Sequence, residues 1–210
     1  TFPDSSPTLA VAAGCTFRGG SGFPSSGFLK VSKTLIEDKG IELARRTILH
    51  EIGHILGMNT GTFLWSALFN DTNPQDPHFT GNNARVNFLS KFTFQQYSGN
   101  YVPTESNAHW RESVLGDELM TPEVQGTDSL PMSSITLGAF ADMGYSVNMS
   151  KAESYNPSSL LVRYFQGPIA FQREAAPSEY VKDFVAKNGL RAAAVKGLIP
   201  MNCDPRKVKY

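Results

Sequence analysis

The segment HEIGHILGM, residues 50–58, governs both the architecture and the chemistry of this 210-residue chain. Residues four apart lie on the same face of an α-helix, so His50 and His54 can direct ring nitrogens at one metal ion. Glu51 lies one position further round, where its carboxylate can reach a water on the metal without binding the metal itself. Zinc lowers the pKa of such a water to about 7. The spacing therefore predicts a zinc centre suited to peptide hydrolysis.

The residues around the two histidines are mostly apolar, which predicts a buried helix. This holds for Ile48, Leu49, Ile52, Ile55 and Leu56. Polar side chains on a buried helix are costly without partners, which favours metal ligands over two incidental histidines. We expect this helix to run from Ile41 to Leu56. Glu42 in its first turn suits the helix dipole, and Gly57 can end the helix in a left-handed conformation.

Zinc in a catalytic site needs a third protein ligand and one open position. In the compact form of the motif, the third histidine follows the second by six residues, but that position holds Thr60. The third ligand must come from further along the chain, from His78, His109 or a carboxylate. His78 follows Pro74 and Pro77 in a loop-like segment, which is more typical of a surface histidine.

Four further segments fall in a recognisable order along the chain: GSGFPSSG (20–27), SNAHWRE (106–112), DELMTP (117–122) and ITLGAFADMGY (135–145). With the helical motif, they resemble the leishmanolysin-like metallopeptidases. That metzincin family has a long insertion between its second and third histidines. The resemblance runs from about Ser21 to about Tyr155 and is closest to the bacterial-type members.

The resemblance implies a zinc-dependent endopeptidase with Zn²⁺ as its cofactor. His50, His54 and His109 would bind the metal, Glu51 would be the general base, and Met120 would form the methionine turn beneath the site. The implied fold is α+β and metzincin-like. It has a long active-site helix, an edge strand above the cleft and a mostly helical C-terminal part.

A peptide or protein substrate is the partner that the resemblance implies. Residues Phe28–Ser32 alternate in polarity and predict a strand. In metzincins the strand before the active-site helix is a sheet edge, along which an extended peptide pairs. An ordinary strand without this role is the alternative. The implied substrate-binding residues are Gly27, Phe28, Leu29, Lys30 and Val31, with Leu119, Thr121 and Pro122 beside the methionine turn.

The remaining elements are predicted from local patterns. A short strand is expected near Leu9–Ala13, and helical pieces near Phe63–Phe69 and Ala84–Phe94 inside an insertion over residues 58–108. Ser134 is expected to cap a helix from Ile135 to Met143, with Gly144 just past its end.

Residues 1–149 are expected to form the catalytic domain, and residues 150–210 a linker and a C-terminal extension of unassigned role. The extension contains a predicted helix over residues 178–188. Only 49 residues precede His50, whereas metzincin N-terminal subdomains usually contain more strands and a helix. A removed N-terminal segment or another chain would then complete the domain.

A formal net charge of +0 favours neither nucleic acid nor an anionic membrane as a partner. No apolar run is long enough to span a membrane. Cys15 and Cys203 can form one disulfide or remain thiols, so the redox compartment stays open. We expect an extracellular or secreted protein, or part of a larger assembly.

A second functional class is a structural or assembly component that retains a metzincin domain, with or without activity. The short N-terminal part and the C-terminal extension would suit a protein held in a larger complex. The motif itself is intact, however. A protein that had lost catalysis would often lose Glu51 first, because Glu51 is needed for chemistry and not for metal binding. We therefore favour an active peptidase.

Overall fold

The computed structural model describes residues 8–59, 61–92, 99–105, 108–124, 129–157 and 172–173. The chain divides into two compact units. The N-terminal unit is described here over residues 8–59 and 61–67, and the C-terminal unit runs from Leu68 to Arg173. Within the described residues, no helix is long and apolar enough to cross a membrane.

The described part of the N-terminal unit contains a β-hairpin and three helices. Strands β1 (Ala10–Phe17) and β2 (Pro24–Val31) pair antiparallel, with Ala13 opposite Phe28. Helices α1 (Lys33–Glu37), α2 (Ile41–Ile55) and α3 (Phe63–Ser66) follow. Helix α2 packs against both strands of the hairpin, so the hairpin supports the helix that carries the motif.

Helix α2 confirms the predicted active-site helix to within one residue at its C-terminus. Gly40 is its N-cap and Leu56 its C-cap, and Gly57 has a φ of 124°. Its buried face carries every third or fourth residue: Leu43, Ala44, Thr47, His50, Glu51, Gly53 and His54. The prediction that the apolar residues around the motif are buried is wrong: Ile52 is 38% exposed, and Ile48, Leu49, Ile55 and Leu56 are half-buried. The helix is buried along one face only, and that face holds the polar motif.

Both predicted strands exist with different bounds. β1 begins one residue after Leu9 and continues to Phe17, and β2 begins at Pro24 rather than Phe28. Ser32, expected to end the second strand, instead caps α1, because its hydroxyl oxygen accepts from Leu35 N at 3.0 Å. Serine hydroxyls often bond to the free amides at the start of a helix, and this bond competes with a strand conformation. At Ser32 the bond to the helix amide prevails.

The C-terminal unit contains a four-stranded antiparallel sheet and a pair of packed helices. The sheet has the order β3-β4-β5-β6. Its strands are β3 (Phe69–Asn70), β4 (His78–Phe79), β5 (Val102–Glu105) and β6 (His109–Trp110). The helices are α4 (Asn82–Lys91), α5 (Glu112–Leu115) and α6 (Ser134–Asp142), followed by a 3₁₀ turn at Met149–Lys151. A further strand pair joins β7 (Glu123–Val124) to β8 (Gln172–Arg173).

Three of the local predictions for residues 58–143 need correction. The first helical piece is only α3, and Phe69 lies in β3 instead. The second, α4, spans Asn82–Lys91. The cap of α6 is Ser133 rather than Ser134, because Ser133 Oγ accepts from Ile135 N at 3.1 Å and Thr136 N at 3.4 Å. Residue 94 and the predicted helix at 178–188 lie outside the described residues, as does Cys203.

The chain beyond residue 149 packs onto the C-terminal unit as far as Tyr155. The Tyr155 hydroxyl donates to the carbonyl of Leu115, and Met132 N donates to Glu153 at 2.7 Å. The proposed domain boundary at residue 149 stays a prediction.

Helices α4 and α6 approach closely at Gly138. A Cβ built there would lie 2.8 Å from Ala84 N and from the carbonyl carbon of Asn83, which are rigid backbone atoms. Asp142 at the end of α6 also caps α4, accepting from Asn83 N and Ala84 N at 2.9 Å each. Gly138 and Asp142 both meet the first turn of α4, at Asn83 and Ala84, so the contact between the helices depends there on a glycine and on a carboxylate.

Gly138→Ala is expected to destabilise the protein by about 1–3 kcal/mol, because the added methyl group overpacks the crossing. In an unconstrained helix the same change would stabilise by about 1 kcal/mol. Gly19→Ala is the matched control, since no atom lies within 4 Å of the position that its added methyl group would take. Urea unfolding measures both. Equal midpoints for the two variants would contradict the close crossing.

Candidate metal centre

His50 and His54 lie one turn apart on the buried face of α2. His50 is only 4% exposed and His54 only 8% exposed. The two Nε2 atoms are 2.9 Å apart, and the rings meet edge to face with centroids 4.6 Å apart. Two imidazole nitrogens thus converge on one point inside the N-terminal unit.

The orientation of His54 is fixed by the chain just after the helix. His54 Nδ1 lies 2.8 Å from the carbonyl oxygen of Met58. A carbonyl only accepts, so Nδ1 carries the proton in this bond and neutral His54 keeps its lone pair on Nε2. Metal-binding histidines commonly have their tautomer fixed in this way. Sequence reasoning missed Met58, because no pattern shows which carbonyl will face a ring.

The turn that brings Met58 back to His54 requires Gly57. With a φ of 124°, Gly57 occupies a conformation that other residues rarely adopt. Met58 N then donates to Gly53 O at 3.1 Å, and Asn59 Nδ2 donates to His54 O at 2.9 Å. The glycine therefore ends the helix and also places the acceptor for His54.

Burial strongly favours the neutral form of His54. Desolvation, with a smaller contribution from His50, lowers the pKa of His54 from 6.5 to about 3, and the hydrogen bond to Met58 opposes that shift. Neutral imidazole is the form that binds a metal ion. Near neutral pH the site therefore presents a nitrogen lone pair without first losing a proton.

Glu51 lies on the same buried face of α2 and is 2% exposed. It follows His50 directly in α2, and its carboxylate is shielded from solvent. Its role as general base stays a prediction at this point.

His109 lies in the C-terminal unit, where it is 4% exposed and forms β6 with Trp110. Trp110 N donates to Met120 O at 3.0 Å. Met120 is fully buried, as an apolar turn residue should be. The motif residues His109 and Met120, eleven positions apart, are thus joined through the backbone of their neighbour.

His78 is half-buried in β4 rather than exposed in a loop. Its Nδ1 lies 2.9 Å from Asp76 O, and its ring stacks on Tyr101 at 4.9 Å. Its ring therefore packs within the C-terminal unit.

The structure places the predicted substrate residues in two settings. Gly27–Val31 lie in the second half of β2, which is half-buried to exposed. Leu119, Thr121 and Pro122 are buried, and the Thr121 hydroxyl donates within its own turn to Gly116 O at 2.6 Å. Their contact with substrate stays a prediction.

Three of the four histidines in the sequence are buried. Within the described part of the chain, the same three residues are the candidate metal ligands: His50, His54 and His109. Imidazole is a preferred zinc ligand. The fixed tautomer of His54 and its neutral charge fit that metal.

A buried histidine pair on a long helix of an α+β chain is the arrangement of a metzincin-like zinc metallopeptidase. The sequence model of the leishmanolysin family matches residues 1–159, so the chain belongs to that family. The resemblance inferred from the motifs is thereby confirmed, whereas closeness to the bacterial-type members stays a prediction. The search of curated proteins found no match to this chain.

Acidification is expected to destabilise the metal-free protein through His54. Since its pKa falls from 6.5 to about 3 on folding, the unfolded chain binds the proton more tightly. The contribution to stability is complete above the unfolded pKa and is lost progressively as the pH falls below it. One proton sets a limit of about 1.4 kcal/mol per pH unit.

Urea unfolding of chelator-treated protein between about pH 7.5 and pH 5 measures this dependence. His54→Gln lacks the titrating ring and is expected to show a shallower dependence than the wild type. Equal slopes in the two proteins would mean that His54 does not resist protonation in the folded state.

Proposed function

We propose that this chain is a zinc-dependent endopeptidase. The metal is held by His50, His54 and His109, and Glu51 acts as the general base. The observation that carries the proposal is the pair of Nε2 atoms 2.9 Å apart on the buried face of α2. Membership of the leishmanolysin family supports it.

The protein's own residues provide the rest of the chemistry. Zinc, when bound, supplies a Lewis acid that polarises the scissile carbonyl and makes water more acidic. Glu51 takes the proton from the attacking water and delivers it to the leaving amine. The burial of Glu51 and of the histidine pair keeps bulk water away, which strengthens electrostatic interactions in the site.

His109 is the proposed third ligand for two reasons. It is buried, whereas His78 is half-buried and stacked on Tyr101. Its strand is also bonded to the turn that carries Met120, in agreement with the motif order of the family.

Strand β2 is the proposed binding edge for an extended peptide. Among the described strands it pairs only with β1, so its other edge offers backbone groups to a substrate. Gly27 has to be glycine, because a Cβ there would lie 2.5 Å from Ile55 Cγ2 and 2.9 Å from Ala13 O. We propose that substrate pairs along Gly27–Val31. Leu119, Thr121 and Pro122 then shape the primed-side pocket.

We further propose that the substrate is a peptide or protein outside the cell, or one presented within a larger assembly. Family membership supports the substrate class.

Glu51→Gln is expected to reduce casein cleavage by about 10²–10⁴-fold, because the amide cannot accept the proton from water. Zinc content, measured by elemental analysis, should stay near that of the wild type. Glu42→Gln is the matched control, since Glu42 is an exposed glutamate in the first turn of the same helix. Wild-type cleavage by Glu51→Gln would reject the catalytic role. An absence of cleavage by the zinc-loaded wild-type protein would instead make the assembly component the better description.

His109→Ala is expected to lose most of its zinc, because two histidines and water hold the metal far less tightly than three. His78→Ala should retain zinc at the wild-type level. Elemental analysis after dialysis against a weak chelator compares the two variants. Loss of zinc from His78→Ala alone would assign the third ligand to His78.

A further inference from the structure

We propose that Glu118 is a positioning residue for the third zinc ligand. Its buried carboxylate joins the strand of His109, the turn of Met120 and the N-terminus of α6 into one hydrogen-bonded unit. This inference rests on the proposed function, since it concerns the orientation of His109 as a ligand.

Both carboxylate oxygens of Glu118 are used. Oε1 accepts from Ser133 N at 3.0 Å, Ser133 Oγ at 2.6 Å and Thr136 Oγ1 at 2.7 Å. Oε2 accepts from Met120 N at 2.7 Å. The residue is fully buried, and its carboxylate accepts three of these bonds on Oε1 and one on Oε2. Among the described residues, Glu118 forms no ion pair.

The network reaches the strand of His109 through Trp110. Trp110 Nε1 donates to Thr136 Oγ1 at 2.8 Å, and the same hydroxyl donates to Glu118. Trp110 N donates to Met120 O at 3.0 Å. Trp110, Thr136, Glu118 and Met120 therefore form a closed ring of hydrogen bonds. β6 has only two residues, so fixing the side chain and backbone of Trp110 also restrains its neighbour His109.

Burying a carboxylate at this position costs desolvation free energy, which stability alone would not favour. Burial raises the pKa of Glu118, and the hydrogen bonds from Ser133, Thr136 and Met120 oppose that rise. An apolar side chain would avoid the desolvation cost. Donors approach from two sides, however, and only a group with an acceptor on each side can bond to both. Outer-shell partners of this kind orient metal ligands and tune metal affinity.

Glu118→Gln separates the two sides of the network. Its amide oxygen can remain with Ser133 and Thr136, but its NH₂ group then faces Met120 N–H, so two donors oppose each other. The bond to the methionine turn is lost while the side-chain shape is kept. We expect zinc affinity, measured by competition with a chelator, to fall by about tenfold or more. The visible absorption bands of the Co²⁺-loaded protein should also shift, because they report ligand geometry.

Asp142→Asn is the matched control for general destabilisation. Asp142 is a carboxylate of the same unit that accepts from Asn83 N, Asn83 Nδ2 and Ala84 N, none of which belongs to the ring around Trp110. This variant should lower stability without changing zinc affinity or the Co²⁺ bands. Wild-type affinity and bands in Glu118→Gln would overturn the proposal. An equal loss of affinity in Asp142→Asn would overturn it as well.

Thr136→Val and Thr136→Ser provide a second pair should Glu118→Gln fail to fold. Val removes the hydroxyl between Trp110 and Glu118 with little change of shape, whereas Ser keeps it. We expect Thr136→Val to weaken zinc binding and Thr136→Ser to restore it. Equal affinity in the two variants would contradict the positioning role.

A metal-free measurement separates this proposal from the proposed function. The backbone N–H resonance of Met120, which donates to Glu118 Oε2, is expected without metal to move upfield in Glu118→Gln and to stay in place in Asp142→Asn. If wild-type protein binds no metal, the proposed function fails, and the positioning of a zinc ligand by Glu118 fails with it. If wild type binds zinc through His109 but the Met120 N–H resonance of Glu118→Gln is unmoved, only the role of Glu118 fails.

Discussion

The candidate centre depends on the hydrogen bond between His54 Nδ1 and the carbonyl oxygen of Met58. It fixes the nitrogen that carries the proton and so leaves the Nε2 lone pair facing His50. The bond exists because Gly57, with a φ of 124°, reverses the chain directly after α2. A residue with a side chain would be strained there, and the acceptor would be displaced from the ring. One backbone turn therefore ends the helix and orients His54, a candidate metal ligand.

The two units orient their histidines by different physical means. In the N-terminal unit, helix periodicity aligns His50 with His54, and burial keeps His54 neutral. In the C-terminal unit, His109 lies on a strand of two residues, which is too short to hold a side chain by its own ladder. The buried carboxylate of Glu118 supplies bonds from outside the strand. An irregular segment needs such a network because it has few backbone bonds of its own.

Local sequence patterns predict the elements well and their ends less well. The bounds of α2 follow from periodicity, from Gly57 and from a favourable first turn, all of which are local. The predicted cap of α6 is Ser134, whereas Ser133 makes the bonds. Adjacent serines offer the same hydroxyl, and the backbone conformation decides which one reaches the amides. The backbone conformation likewise makes Ser32 a helix cap rather than a strand residue.

The sequence by itself determined the family, the long helix and the common face of His50, Glu51 and His54, because these depend on spacing within a few turns of chain. Only the tertiary structure decided that the carbonyl of Met58 orients His54 and that Glu118 joins Trp110 to Met120 through Thr136. The donors to Glu118 include Thr136, which lies 18 residues away in sequence. A buried carboxylate takes whichever donors the packed chain presents, and no periodicity along the sequence records that choice.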